Sequence, residues 1–161
     1  MERRKSGGGD EIKHSKIGNE GYQKLSNNKG TLTYYFDKPN NRWEIEEINV
    51  LERYKRQGVG SNLLRSFVSR IGFDKPVHSL ITHKETIDKL KERYGISMGT
   101  YTVPNEELST LPIIKLLKKS NIDVESCIVS YKPSPSNEFE YDAYEVEVFG
   151  RTKNMQIEHK Q

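Results

Sequence analysis

Arg42-Trp43-Glu44-Ile45-Glu46-Glu47-Ile48-Asn49-Val50-Leu51-Glu52-Arg53-Tyr54-Lys55-Arg56-Gln57-Gly58-Val59-Gly60-Ser61-Asn62-Leu63-Leu64 is the stretch on which the reading of this chain turns. Arg42 to Val50 reads as a strand closing on β-branched residues. A polar elbow follows from Leu51 to Lys55, then a turn holding Gly58 and Gly60. Beyond it Val59, Leu63, Leu64, Phe67, Val68 and Ile71 recur at three- and four-residue spacing, one stripe of an α-helix. The unit is strand, glycine turn, helix.

Such a unit invites an anion. The first N–H groups of a helix have no acceptor within it, and the dipole there is positive. Gly58 and Gly60 carry no Cβ to hold a ligand off those amides, and Lys55 and Arg56 add charge at the rim. A phosphate can dock on such an end through main-chain donors. Two known glycine loops fail here. The dinucleotide fingerprint needs a third glycine where Leu63 stands and an acid closing the next strand, and Val77 to Thr82 ends in none. The phosphate loop's Gly-Lys-Ser/Thr is absent.

The run Val50 to Leu64 resembles motif A of the GNAT acyltransferase superfamily, V-x-P-E-Y-R-G-K-G-I-G-x-x-L-L with an R/Q-x-x-G-x-G/A core. Val50, Tyr54, Gly58, Gly60, Leu63 and Leu64 match, Val59 replaces an isoleucine, and Lys55 departs from the usual Arg or Gln. The resemblance implies an α/β fold with a mixed, mostly antiparallel sheet, a splayed central parallel strand pair and flanking helices. It implies acetyl-CoA as acyl donor and coenzyme A as product. The diphosphate would lie on Lys55, Arg56, Gln57, Gly58, Val59, Gly60 and Ser61. The pantetheine arm would enter the notch between the splayed strands and borrow main-chain groups near Ile48 and Val50.

Composition bounds the rest. A chain of 161 residues, with 33% hydrophobic and 30% charged residues, suits one domain with a modest core. Its net charge of +3 does not by itself argue for nucleic acid. One cysteine rules out an intrachain disulfide and fits a reducing, cytoplasmic setting. No apolar run is long enough to cross a bilayer, so no membrane role is expected. No His, Cys, Asp or Glu spacing suggests a metal.

Residues 1–17 hold Arg3-Arg4-Lys5 and Gly7-Gly8-Gly9 with little to bury and read as a disordered tail. The acyltransferase domain is expected over 18–150, with 151–161 a second tail. Residues 18–30 are polar, anchored by Tyr22 and Leu25, where the family carries a helical segment that this chain shortens. Thr31 to Phe36 alternates as a strand, and Asp37 to Asn41 turns it into a hairpin with the next. The helix ends near Gly72, and Val77 to Thr82 then lies parallel beside Arg42–Val50. Thr82 to Glu85 opens a further helix resembling motif B, with Lys91 where many members carry the tyrosine that protonates the departing thiolate. An inserted helical segment is expected near 104–121, then two closing antiparallel strands, Ile122–Tyr131 and Tyr141–Phe149.

Acyl transfer to an amine needs a neutral amine, a polarised carbonyl and a stabilised thiolate, with no covalent intermediate. The family's base is often a carboxylate on the strand before the glycine turn. Strict alternation puts Glu46 and Glu44 on the face of Ile48 and Val50, so these are the candidate bases, with His83 as a candidate proton relay. Cys127 reads as a core thiol, a Cys127–His83 pair being the covalent rival. The acceptor is an amine on a protein or small molecule. Glu138, Glu140, Asp142, Glu145 and Glu147 offer a surface for a cationic one. Lys115, Lys118 and Lys119 keep open nucleic acid, an aminoacyl-tRNA, as acceptor of a toxin-like effector. A binding module without turnover is the remaining alternative.

Overall fold

A computed structural model describes residues 11–18, 21–81, 88, 90, 92–93, 99–132 and 143–154. The strands are β1 Lys13–Ile17, β2 Tyr22–Asn27, β3 Gly30–Asp37, β4 Arg42–Val50, β5 Pro76–Ile81, β6 Gly99–Thr102, β7 Ile122–Lys132 and β8 Ala143–Thr152. Helices with both ends among the described residues are α1 Val59–Ile71, α2 Asn105–Leu108 and α3 Pro112–Lys119, and residues 88, 90, 92 and 93 are helical as well. The strands make one eight-stranded sheet in the order β1-β2-β3-β4-β5-β8-β7-β6. β4 and β5 run parallel and the other ladders are antiparallel. This is the expected mixed sheet with α1 as crossover between its parallel strands.

The stripe read from the sequence seats α1. Val59, Leu63, Leu64, Phe67 and Val68 are buried, and Ile71 packs against them at the rim. They face Leu25, Leu32, Tyr34 and Ile45 in one core, with Phe67 set edge-on to Tyr34 at 5.0 Å. Gly72 ends the helix at a positive φ of 98°, which glycine tolerates, its N–H bonding the Val68 carbonyl at 2.9 Å. In α3, Pro112 opens the helix and Lys118 and Lys119 close it, as its termini prefer.

Three expectations change. The sheet begins at Lys13, inside the stretch read as a tail, and β8 runs to Thr152. β1 is an edge strand with four of its five residues exposed, so it has no apolar alternation to announce it. Its ladder to β2 is complete from Lys13↔Ser26 to Ile17↔Tyr22. This hairpin occupies the region where the family's helical segment was expected. The third change is a bulge in β4. Thr33 pairs with Glu47 and Tyr34 with Ile45, so Glu46 is the extra residue. β6, paired to β7, carries no sequence signal beyond its four residues and was not anticipated.

Gly30 marks a close approach. A Cβ there would stand 2.7 Å from the Asn49 carbonyl oxygen and 3.2 Å from Val59 Cγ1. Gly30→Ala is expected to destabilise the fold by about 1–3 kcal/mol. At about 2–4 °C per kcal/mol for a chain of this size, calorimetry should register a clear fall in Tm.

Candidate active site

The turn before α1 presents amides. Arg56 (φ 67°) and Gly58 (φ 84°) are left-handed within three positions of one another, a geometry that turns successive N–H groups toward one side. The first intrahelical bond runs from the Asn62 N–H to the Gly58 carbonyl at 2.9 Å. The N–H groups of Val59, Gly60 and Ser61 precede it, and no side chain caps them. The Gln57 amide donates back to the Arg53 carbonyl at 3.1 Å, and Lys55 pairs with Glu52 at 3.2 Å in an exposed contact. Neither side chain closes the helix end. This donor set suits a diphosphate.

A Cβ on Gly60 would make only ordinary contacts, at 3.7 Å with Leu116 and 3.9 Å with Val50, so packing alone does not require a glycine there. Ser61 has a structural task besides. Ser61 is buried, and its hydroxyl lies 3.1 Å from that of Ser120. Ser120 spends its proton on the Leu116 carbonyl at 2.6 Å, so Ser61 donates to Ser120. Only the main-chain N–H of Ser61 is left for a ligand.

Beside this turn β4 and β5 part. Their ladder comprises Trp43↔Val77, Glu44↔His78 and Ile45↔Ser79 and ends there, whereas β4 continues to Val50. The Ser79 hydroxyl donates to the Ile45 carbonyl at 3.1 Å and satisfies the last acceptor before the split. The segment from Glu46 to Val50, with Ile48 and Val50 in it, has no ladder to β5. The bulge and the lost pairing make the splayed notch.

The bulge also corrects the faces. Because Glu46 is inserted, Ile45 and Ile48 lie on the α1 side with Tyr34 and Leu32, and Glu44 lies on the opposite side with Glu47. Glu44 does not share the face of Ile48 and Val50, contrary to strict alternation. Glu46 is exposed at the bulge itself.

Glu44 is buried, and not alone. Its Oε2 lies 2.5 Å from Nδ1 of His78, itself buried, and His78 Nε2 lies 2.9 Å from Glu147 Oε1. Glu44 Oε1 stands 3.6 Å from Arg42 Nε, a buried atom with no hydrogen-bond partner. Phe149 covers the imidazole at 4.9 Å between ring centres. Burial lifts the Glu44 carboxyl above its ordinary value, although His78 and Arg42 both pull it down. Burial, with Glu44 nearby, likewise raises the Tyr35 phenol.

His78 escaped the sequence reading. Its signal was a histidine at an interior position of a central strand, on the parity that carries Glu44 and Glu147 in the strands to either side. His83, Lys91 and the acidic residues 138, 140 and 142 lie outside the described residues. Cys127 is fully buried in β7, and burial pushes its thiol up to about 11. Such a thiol is inert at neutral pH. Cys127→Ala is expected to leave thiol release from acetyl-CoA within about twofold of the unsubstituted chain, read by a chromogenic thiol assay. Among the described residues, no group of three or more His, Cys, Asp or Glu is placed to hold a metal ion, and no helix is long and apolar enough to cross a membrane.

Residues 26–85 match the family model described as Acetyltransferase (GNAT) family. That span holds β3, β4, α1 and β5, the elements that build the turn and the notch, and it bears out the GNAT resemblance read from motif A. No curated protein sequence matches the chain. Among solved structures, nourseothricin acetyltransferase is similar at 12% identity and a TM-score of 0.41, over 81% of this chain and 63% of that one. A Bacillus subtilis acetyltransferase in complex with CoA is similar at 12% identity and 0.41, over 80% and 74% respectively. Tetrahymena GCN5 follows at 12% and 0.37, over 81% and 69%. The chain thus spans 63% of the length of nourseothricin acetyltransferase.

Proposed function

We propose that this protein moves an acetyl group from acetyl-CoA to a primary amine on a small molecule or protein, by direct attack of the amine. The observation that carries the reading is the uncapped start of α1, three free N–H groups behind two left-handed residues, set beside the split between β4 and β5. In this reading residues 13–152, from β1 to β8, act as one acyltransferase domain, the helical segment 104–121 is an insertion, and the setting is cytoplasmic.

Acetyl-CoA supplies an acyl group already activated as a thioester. The N–H groups of Gly58, Val59, Gly60 and Ser61 hold its diphosphate, each bond to a charged oxygen worth about 1.5–3 kcal/mol. Lys55 and Arg56 screen its charge, and Gln57 keeps the turn in shape through Arg53. Main-chain groups of Ile48 and Val50, free of a β5 partner, orient the pantetheine arm. The amine must lose a proton, and β4 carries two candidate carboxylates, Glu46 where the strands part and Glu44 within the last paired rungs, on the face away from α1. Glu46 is exposed at the bulge, and Glu44 is buried two residues before it.

Glu44 is the better base. A carboxyl raised above its ordinary value binds the proton more tightly, so it accepts one more readily near neutrality. It acts only when ionised, so the rate should rise with pH through its raised pKa and fall away below it. Acidic residues around β8 favour a cationic acceptor. The test is release of coenzyme A thiol from acetyl-CoA with a panel of diamines and lysine-bearing peptides. Amine-dependent release supports the reading. Tight acetyl-CoA binding without release for every amine would make the chain a binding module instead.

A further inference from the structure

Glu44, His78 and Glu147 form a row across three neighbouring strands, β4, β5 and β8, on the face away from α1. Each contact in the row needs a proton between nitrogen and oxygen, since two lone pairs at such distances repel. A neutral imidazole carries one N–H, and two ionised carboxylates carry none. Contacts of 2.5 and 2.9 Å at the two ring nitrogens therefore require two protons in the row. The extra proton makes the imidazole a cation between two carboxylates, or sits on one carboxyl.

We propose that His78 is a positioning residue for acyl transfer: bridged between Glu44 and Glu147, it shares a proton with Glu44 that fixes the carboxylate and sets the pH at which its other oxygen can take the amine's proton. This rests on the reading of Glu44 as base. Glu44 offers its two oxygens to different tasks. Oε2 is spent on His78, whereas Oε1 has Arg42 only at ion-pair distance, 3.6 Å, and no hydrogen bond from it. When the amine gives up its proton, the N–H bond breaks and an O–H bond forms at Oε1. The bridging proton stays on the Nδ1 side and keeps the carboxyl from rotating.

The row is partly screened from water. The side chains of Glu44 and His78 are 9% and 5% exposed, and that of Glu147 is 31% exposed, so the row meets solvent at its β8 end. Charged and titratable groups facing it are Tyr35 and Asp37 from β3, Arg42 from β4 and Glu147 from β8. Phe149 closes one side of the ring, and the Arg42 guanidinium lies 5.5 Å from the Phe149 ring centre. Arg42 thus adds positive charge at Oε1 while the imidazole holds Oε2 by hydrogen bond.

The test uses the full chain. His78→Gln is expected to lower kcat at neutral pH at least tenfold, leave KM for acetyl-CoA unchanged, and move the acid limb of the kcat/KM profile to higher pH. Glu147→Gln keeps an acceptor for Nε2–H and should retain most activity, whereas Glu147→Leu should behave as His78→Gln. A second readout needs no turnover: the His78 Nδ1–H proton, held between ring and carboxylate over 2.5 Å, should give a low-field NMR signal that Glu44→Gln moves upfield. No thiol release from the unsubstituted chain overturns the acyl-transfer reading. With turnover present, an acid limb unmoved by His78→Gln, or a His78 Nδ1–H signal unmoved by Glu44→Gln, overturns the role given to His78.

Discussion

Glu44→Gln is expected to lower kcat for acetyl transfer by about 10²–10⁴-fold, the usual range for losing a positioned general base. Glutamine fills the same volume and can still face His78, so the fold and acetyl-CoA affinity should be kept. The loss should shrink as pH rises, because a growing fraction of the amine then arrives already neutral. Stopped-flow thiol release across pH, with acetyl-CoA affinity measured in parallel, checks all three statements. Glu46→Gln serves as the counterpart. Its side chain is exposed at the bulge and has no buried partner, so its effect should be much the smaller. A large loss in Glu46→Gln with little in Glu44→Gln would move the base to the bulge.

Gly58→Glu should cost acetyl-CoA affinity by about 100-fold or more, through two effects that add. Gly58 sits at φ 84°, where side chains other than glycine are strained by roughly 1–2 kcal/mol per residue, so the turn resists keeping its shape. A carboxylate then stands beside the amides that would receive the diphosphate, and like charges repel. A Cβ at Gly58 meets no atom within 4 Å, so the change does not crowd the core and the chain should still fold. Isothermal titration reads the affinity and thermal melting the fold. Gly58→Ala, with the strain but no charge, should lose less.

The central unit was legible because each part left a local mark. Apolar spacing set α1 and its buried face, Gly72 its end, and the glycine turn its open start. The parallel pairing of β4 and β5 followed from the crossover rule. Strand β1 was not legible because an edge strand buries almost nothing, so its residues carry no alternation. The bulge at Glu46 was not legible either. Glu44-Ile45-Glu46-Glu47-Ile48 alternates as far as Glu46, and a slip of one residue leaves no mark in composition. That slip alone moved Glu44 to the other face and toward His78. The row of Glu44, His78 and Glu147 joins residues 34 and 69 positions apart, and only strand register brings them together.

The most direct test of the account is an amide NMR titration of the full chain with acetyl-CoA. Shifts are expected to concentrate in Arg56 to Ser61 and in Glu46 to Val50, with the largest at Val59 and Gly60, and to be lost in Gly58→Glu. Saturable binding that leaves those amides unmoved and shifts another part of the sheet would contradict it.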